Sequence, residues 1–240
     1  MIPRDPPDTI SSVSDAAARR EQLVQVYNQA STCTLCPLSE SRNTVVFGAG
    51  NADADLMFVG EAPGAEEDKT GLPFVGRAGG LLNQLLEGIG LKREDVFIAN
   101  TVLCRPPGNR DPQPDEIATC NPWLAKKVDL IQPRVICTLG NFATKLLTGN
   151  QTGITKVRGS AQAHMIGGRP VHVFPLLHPA AALRTPAMAD TLREDFTALP
   201  ALLKEPLPDI APPEPIGPPG GEDEERPVEV DADQMGLFGG

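Results

Sequence analysis

Residues 55–77 read D-L-M-F-V-G-E-A-P-G-A-E-E-D-K-T-G-L-P-F-V-G-R. Leu56, Met57, Phe58 and Val59 are four apolar residues in a row, so they cannot alternate between core and solvent. A run of that kind suits a strand covered on both faces, as in a parallel sheet. Gly60 ends it, and Pro63 and Gly64 prevent either strand or helix from continuing. A polar loop with Glu61, Glu66, Glu67 and Asp68 follows and closes on Pro73-Phe74. In open α/β sheets, ligands bind where strands run out into loops of this type.

Outward from this stretch, strands and helices alternate. Thr44–Phe47 reads as a preceding strand, and Ala78–Ile89 as a helix that turns Leu81, Leu82, Leu85, Leu86 and Ile89 inward and stops at Gly90. Val96–Val102 reads as the next strand. Arg105–Asp115 carries four prolines and must be a loop. Asp115 can cap a helix that carries Cys120 and runs past Pro122 to about Ile131. Arg134–Thr138 and Val171–Leu176 read as strands, Asn141–Leu147 as a helix, and Met188–Leu203 as the last helix. Ser14 can cap a first helix running to about Ala30. The expected class is α/β, in three layers with a central, mostly parallel sheet.

The chain has 240 residues and a net charge of -10. From Glu205 onward there are ten acids and one base, so the remainder is near neutral, and local basic patches are compatible with it. No apolar run approaches the ~20 residues needed to cross a bilayer. M-I-P-R-D-P-P-D at the start lacks the apolar core of a secretion signal, so a cytoplasmic protein with reduced cysteines is expected. The domain expectation is a polar, disordered 1–13, a folded 14–204, and a disordered acidic, proline-rich tail at 205–240.

Cys33 and Cys36 form a C-x-x-C pair, while Cys104 and Cys120 each lie beside an element end or the proline-rich loop. Cys137, inside the apolar strand, reads as a small core hydrophobe. The other four make a plausible four-thiolate metal site. Zinc usually pairs two short knuckles, and the second pair here is widely spaced. An iron–sulfur cubane tolerates such spacing because each thiolate holds a different iron. Spacing alone leaves iron–sulfur, zinc and unrelated thiols open.

Taken together and in order, G-E-A-P-G-A-E-E-D, P-F-V-G-R-A-G, N-T-V-L-C-R-P-P and H-P-A-A-A-L-R resemble the family 4 uracil-DNA glycosylases. These are bacterial and archaeal repair enzymes with a four-cysteine [4Fe-4S] cluster. The resemblance covers roughly residues 30 to 203. It implies Cys33, Cys36, Cys104 and Cys120 as cluster ligands. It implies Phe74 against the face of a flipped uracil, Asn100 on the polar edge of the base, and His178 near its O2. Gly60 and Glu61 fall in the first active-site motif. The wider superfamily often has a water-activating aspartate one residue later, where this chain has Ala62, so a carboxylate at that position cannot serve here.

The implied chemistry suits these side chains. Breaking the bond between base and sugar leaves a cation-like sugar and an anionic base, and a donor already in place for that anion is worth about 3–4 kcal/mol of barrier. His178 can be that donor; by itself it would read as a satisfied histidine at a strand end. Asn100 offers both acceptor and donor, matching uracil N3–H and O4, where cytosine presents the reverse. Glu61 can position water or crowd the C5 side. The base must be flipped out of a duplex, with Leu183 as an apolar wedge and Arg184 on a phosphate. Arg42, Lys69, Arg77, Arg105, Arg110 and Arg158 are further candidates for backbone contacts.

Gln234-Met235-Gly236-Leu237-Phe238 resembles the short Gln-x-x-Leu-Phe peptides by which bacterial DNA enzymes dock on the sliding clamp. Burial of Leu237 and Phe238 would contribute about 1.5–3 kcal/mol each. The sequence thus implies a monomeric enzyme that hydrolyses uracil from single- and double-stranded DNA in base excision repair. Two other readings compete: an X-type covalent uracil-DNA binder, and a metal-stapled nucleic-acid binding module without turnover. The X-type relatives trap DNA through a histidine in a basic loop, and Arg105–Thr119 has no histidine.

Overall fold

The computed structural model describes residues 11–210. Its helices are α1 (Ser11–Ser31), α2 (Leu38–Ser41), α3 (Ala65–Thr70), α4 (Arg77–Gly88), α5 (Pro114–Ile131), α6 (Asn141–Thr148), α7 (Ile154–Val157), α8 (Pro179–Ala182), α9 (Pro186–Phe196) and α10 (Leu199–Leu202). The strands are β1 (Ala49–Gly50), β2 (Leu56–Gly60), β3 (Phe97–Asn100), β4 (Val135–Leu139), β5 (Gln162–Ile166) and β6 (Arg169–Leu176). They form one six-stranded sheet in the order β1-β3-β2-β4-β6-β5. The four inner strands are parallel, and the two edge strands run antiparallel to their neighbours.

β2 is buried along its whole length, as its unbroken apolar run requires. Leu56 and Phe58 point into one core with Leu82 and Leu86 of α4 and Phe196 of α9. Met57 and Val59 point into the other, with Leu23 and Val26 of α1 and Leu124 and Val128 of α5. Phe58 stacks on Phe196 with ring centroids 5.8 Å apart. The sheet therefore lies between two helical layers, in the expected three-layer α/β/α arrangement. The chain leaves β2 for β3 on one side and reaches β4 on the other. The strand order thus reverses next to β2, and in open α/β sheets ligands bind beyond the carboxyl ends of the strands at such a point.

Several expectations need correction. Thr44–Phe47 is not a strand: Val46 N–H donates to Leu103 O at 2.8 Å, and the only ladder on this side is the two-residue β1. β5 was not anticipated, because its residues are only partly buried and its sequence lacks an apolar run. The last helix is two, α9 and α10, separated at Thr197-Ala198. α1 starts at Ser11, ahead of the expected cap at Ser14. The expected tail does not leave the domain at once: Arg134 donates to Glu205 O at 2.7 Å, and the His172 ring bonds Pro206 O at 2.8 Å. The start of the chain, residues 1–10, and the rest of the tail, including the 234–238 peptide, lie outside the described residues. Among the described residues no helix is long and apolar enough to cross a membrane.

Candidate active site and cysteine centre

Gly60 ends β2 and pairs with Asn100, the last residue of β3. A Cβ on Gly60 would lie 2.5 Å from Asn100 Oδ1 and 2.8 Å from the Phe74 ring, so glycine lets three groups converge here. Asn100 is 2 % exposed, and its Oδ1 has no hydrogen-bond partner among the described residues. A buried, unpaired acceptor costs about 1–3 kcal/mol and points to a ligand donor.

His178 follows β6 and caps α8. Ala180 N–H donates to its Nδ1 at 3.1 Å, so in the neutral ring the proton sits on Nε2. Burial lowers the pKa of this imidazole below its ordinary value, which keeps it neutral at pH 7. The Phe74 and His178 rings lie 5.8 Å apart at 30°. Behind His178 runs Gly140, whose φ of +94° disfavours any side chain, and whose added Cβ would lie 3.1 Å from His178 Cβ. Phe74 itself has φ +50°, which costs a non-glycine residue about 1–3 kcal/mol and is typical of functional sites.

Glu61 is partly buried beside this group, its backbone oxygen accepting from Thr101 Oγ1 at 2.6 Å. Burial pushes its carboxyl above the ordinary value, and the neighbouring Asp111 carboxyl pushes the same way. Leu183, after α8, is 39 % exposed and does not pack inward, and Arg184 is exposed beside it. Gly60, Phe74, Asn100 and His178 thus meet at the strand ends, with Glu61 adjoining.

Five of the suggested cations have partners within the chain: Arg158 pairs with Asp195, Arg110 makes a two-pronged pair with Glu116 at 2.7 and 2.9 Å, Lys69 pairs with Glu66 at 2.8 Å, Arg105 donates to Asn109 Oδ1 at 2.7 Å, and Arg42 turns to the cysteines. Sequence reasoning missed Asp111 and Gly140. The turn signal G-N-R-D-P at 108–112 held the first, and the glycine directly after the strand Val135–Leu139 held the second.

Cys33, Cys36, Cys104 and Cys120 line one cavity together with Arg42, Leu103 and Trp123. Cys137 lies in the core of β4, as expected. Among the described residues no group of three or more Cys, His, Asp or Glu side chains is gathered tightly enough for a single ion. One zinc would need sulfurs at about 2.3 Å from a common centre, whereas a cubane spreads them over separate irons. Arg42 donates to Cys33 O at 2.6 Å and to Cys104 Sγ at 3.3 Å, and Leu103 N–H donates to Cys120 Sγ at 3.3 Å. Donors aimed at sulfur suit thiolates held by a metal group. Burial raises the Cys104 thiol and pushes Cys120 up to about 11, so without metal both stay protonated. Four cysteines around one cavity, with donors turned on two of their sulfurs, are compatible with a bound metal group.

The profile of the uracil DNA glycosylase superfamily matches residues 47–203. The type-4 uracil-DNA glycosylase of Sulfurisphaera tokodaii is 46% identical over 181 residues, covering 73% of this chain and 82% of the relative. That of Thermotoga maritima is 48% identical over 167 residues, 69% of this chain and 85% of the relative. That of Archaeoglobus fulgidus is 41% identical over 180 residues, 73% and 90%. The chain belongs to the type-4 uracil-DNA glycosylases.

Proposed function

We propose that the protein hydrolyses the bond between uracil and deoxyribose in DNA, leaving an abasic site. The observation that carries this reading is Asn100: a buried amide whose Oδ1 has no hydrogen-bond partner among the described residues, set beside Gly60 next to the Phe74 ring, which in turn stacks on His178. Asn100 Oδ1 accepts uracil N3–H and its Nδ2 donates to O4. Phe74 stacks on the ring face. His178 donates its Nε2–H to O2 as negative charge gathers there, stabilising the leaving base. Glu61 is assigned to positioning the water that captures the sugar cation, since Ala62 offers no carboxylate. Leu183 fills the place of the extruded base, and Arg184 holds a phosphate.

Cys33, Cys36, Cys104 and Cys120 would hold a [4Fe-4S] cluster. When bound, it supplies a staple between the end of α1, the segment after β3, and α5. A uracil-containing oligonucleotide separates the readings. Alkali-labile product is expected from protein with an absorbance band at about 400 nm, where iron–sulfur charge transfer absorbs. A denaturant-resistant adduct, or a gel shift without product, would replace the glycosylase reading by trapping or by binding alone.

Residues 205–240 are proposed as a tether carrying a clamp-docking peptide, Gln234–Phe238. Its support is the apolar Leu237-Phe238 pair at the end of an acidic, proline-rich stretch. Truncation after Asp233 is expected to abolish binding to the sliding clamp in surface plasmon resonance while leaving uracil release unchanged. Retained clamp binding would remove the peptide's role.

A further inference from the structure

The peptide unit that follows Phe74 is held at both ends by charged side chains from two other elements. Arg93, in the short helical turn Arg93–Asp95, donates to Phe74 O at 3.1 Å and also to Pro73 O. On the other side Glu67 of α3 accepts Val75 N–H at 3.0 Å and Gly76 N–H at 3.2 Å through Oε1. Its Oε2 accepts Gly64 N–H at 3.1 Å, so one carboxylate ties the start of α3 to the start of α4. α3 is itself anchored, because Asp68 accepts Asn43 N–H at 2.9 Å. Gly79 completes the arrangement: a Cβ there would lie 1.7 Å from Phe74 O, so the loop can close on α4 only at glycine. Two carbonyls are fixed by a cation and two amides by an anion, around a residue whose φ of +50° would otherwise relax.

We propose that Glu67 and Arg93 are positioning residues that brace the Phe74–Val75 peptide and so set the plane on which uracil stacks. Neither need touch the base; both act through Phe74. The inference rests on the uracil reading of the site and deepens it, because it makes the setting of the Phe74 ring depend on one cation and one anion, each bonded to the backbone around it. In sequence Glu67 is one acid among four in a polar loop, and Arg93 lies in an unremarked turn.

The test uses the full chain with Arg93→Met, which keeps the stem and removes both carbonyl bonds, and Glu67→Gln, which keeps an oxygen acceptor. Arg93→Lys serves as the conservative partner. Arg93→Met is expected to lower kcat/KM by about 10²-fold. It should also raise the inhibition constant of free uracil by about tenfold, as lost stacking would. Arg93→Lys and Glu67→Gln should fall between it and the parent protein. Circular dichroism and Tm report folding separately. If a variant is partly unfolded, the molecules that remain active still report the inhibition constant, which a merely structural role would leave at the parent value. An unchanged uracil inhibition constant in all three variants would overturn the brace while leaving the glycosylase reading intact. A parent protein that neither releases nor binds uracil would overturn that reading and the brace with it.

Discussion

Replacing His178 by alanine is expected to slow uracil release by about 10²–10³-fold at neutral pH, with little change in KM. The reason is the timing of the interaction. Uracil O2 carries modest charge in the bound substrate and much more as the glycosidic bond opens, so the Nε2–H donor helps mainly at the transition state. The donor is already set, because Ala180 N–H occupies Nδ1 and fixes the tautomer. The pH dependence checks the same point. Burial lowers the folded pKa of His178 below its ordinary value, so the ring charges only in more acid solution than a free imidazole does. Protonation there would put a hydrogen on Nδ1 against the Ala180 N–H and break the cap. The parent rate should therefore fall only in solution more acid than that in which a free imidazole titrates, and this limb should be missing in the variant. Stability follows the same sign. The unfolded chain takes up the proton near 6.5 while the folded one resists, so folding weakens as pH drops from 6.5 to the folded value. Single-turnover rates of the variant equal to the parent's would remove His178 from the mechanism.

The second large effect belongs to Asn100. Asn100→Ala would strand uracil N3–H and O4 in a buried slot without partners, at about 1–3 kcal/mol for each group. A loss of roughly 10²-fold or more in kcat/KM follows. Unlike the histidine variant, this one should also weaken free-uracil inhibition, because the amide reads the base before the bond opens as well as after. Alanine relieves an acceptor that has no partner among the described residues, so Tm should hold or rise. Inhibition by uracil at the parent level in a folded Asn100→Ala protein would mean the base is read elsewhere.

The sheet was legible where chemistry leaves one choice. Leu56–Val59 has no polar residue to face solvent, and Ala78–Ile89 repeats leucine at helical spacing up to a glycine stop. Edge elements were not, because partial exposure removes the pattern: β5 is a ladder partner of β6 with a mixed Gln162–Ile166 sequence. Pairing, not composition, decides Thr44–Phe47, whose Val46 has one backbone bond to Leu103 and no ladder. Within the site, Gly60, Phe74, Asn100 and His178 stand in sequence motifs, and the fold brings them together at the strand ends. Those that act through the backbone, Glu67 and Arg93, contact main-chain groups that any sequence supplies, so nothing in their own neighbourhood announces them. Asp111 was hidden for a related reason: its distance from Glu61 is set by how the proline-rich loop folds back.

The two glycines beneath the cleft set a limit on how such a protein can change. At Gly60 and Gly140 there is nothing left to trim: a larger residue would collide with Asn100 and Phe74 at the first, and would meet an unfavourable φ and crowd His178 at the second. Mutation there can only make the slot shallower. A descendant that accepts bulkier damaged bases would have to spread the rings apart or shift the loop that carries Phe74, so gains in substrate range should first appear at residues remote from the nucleobase.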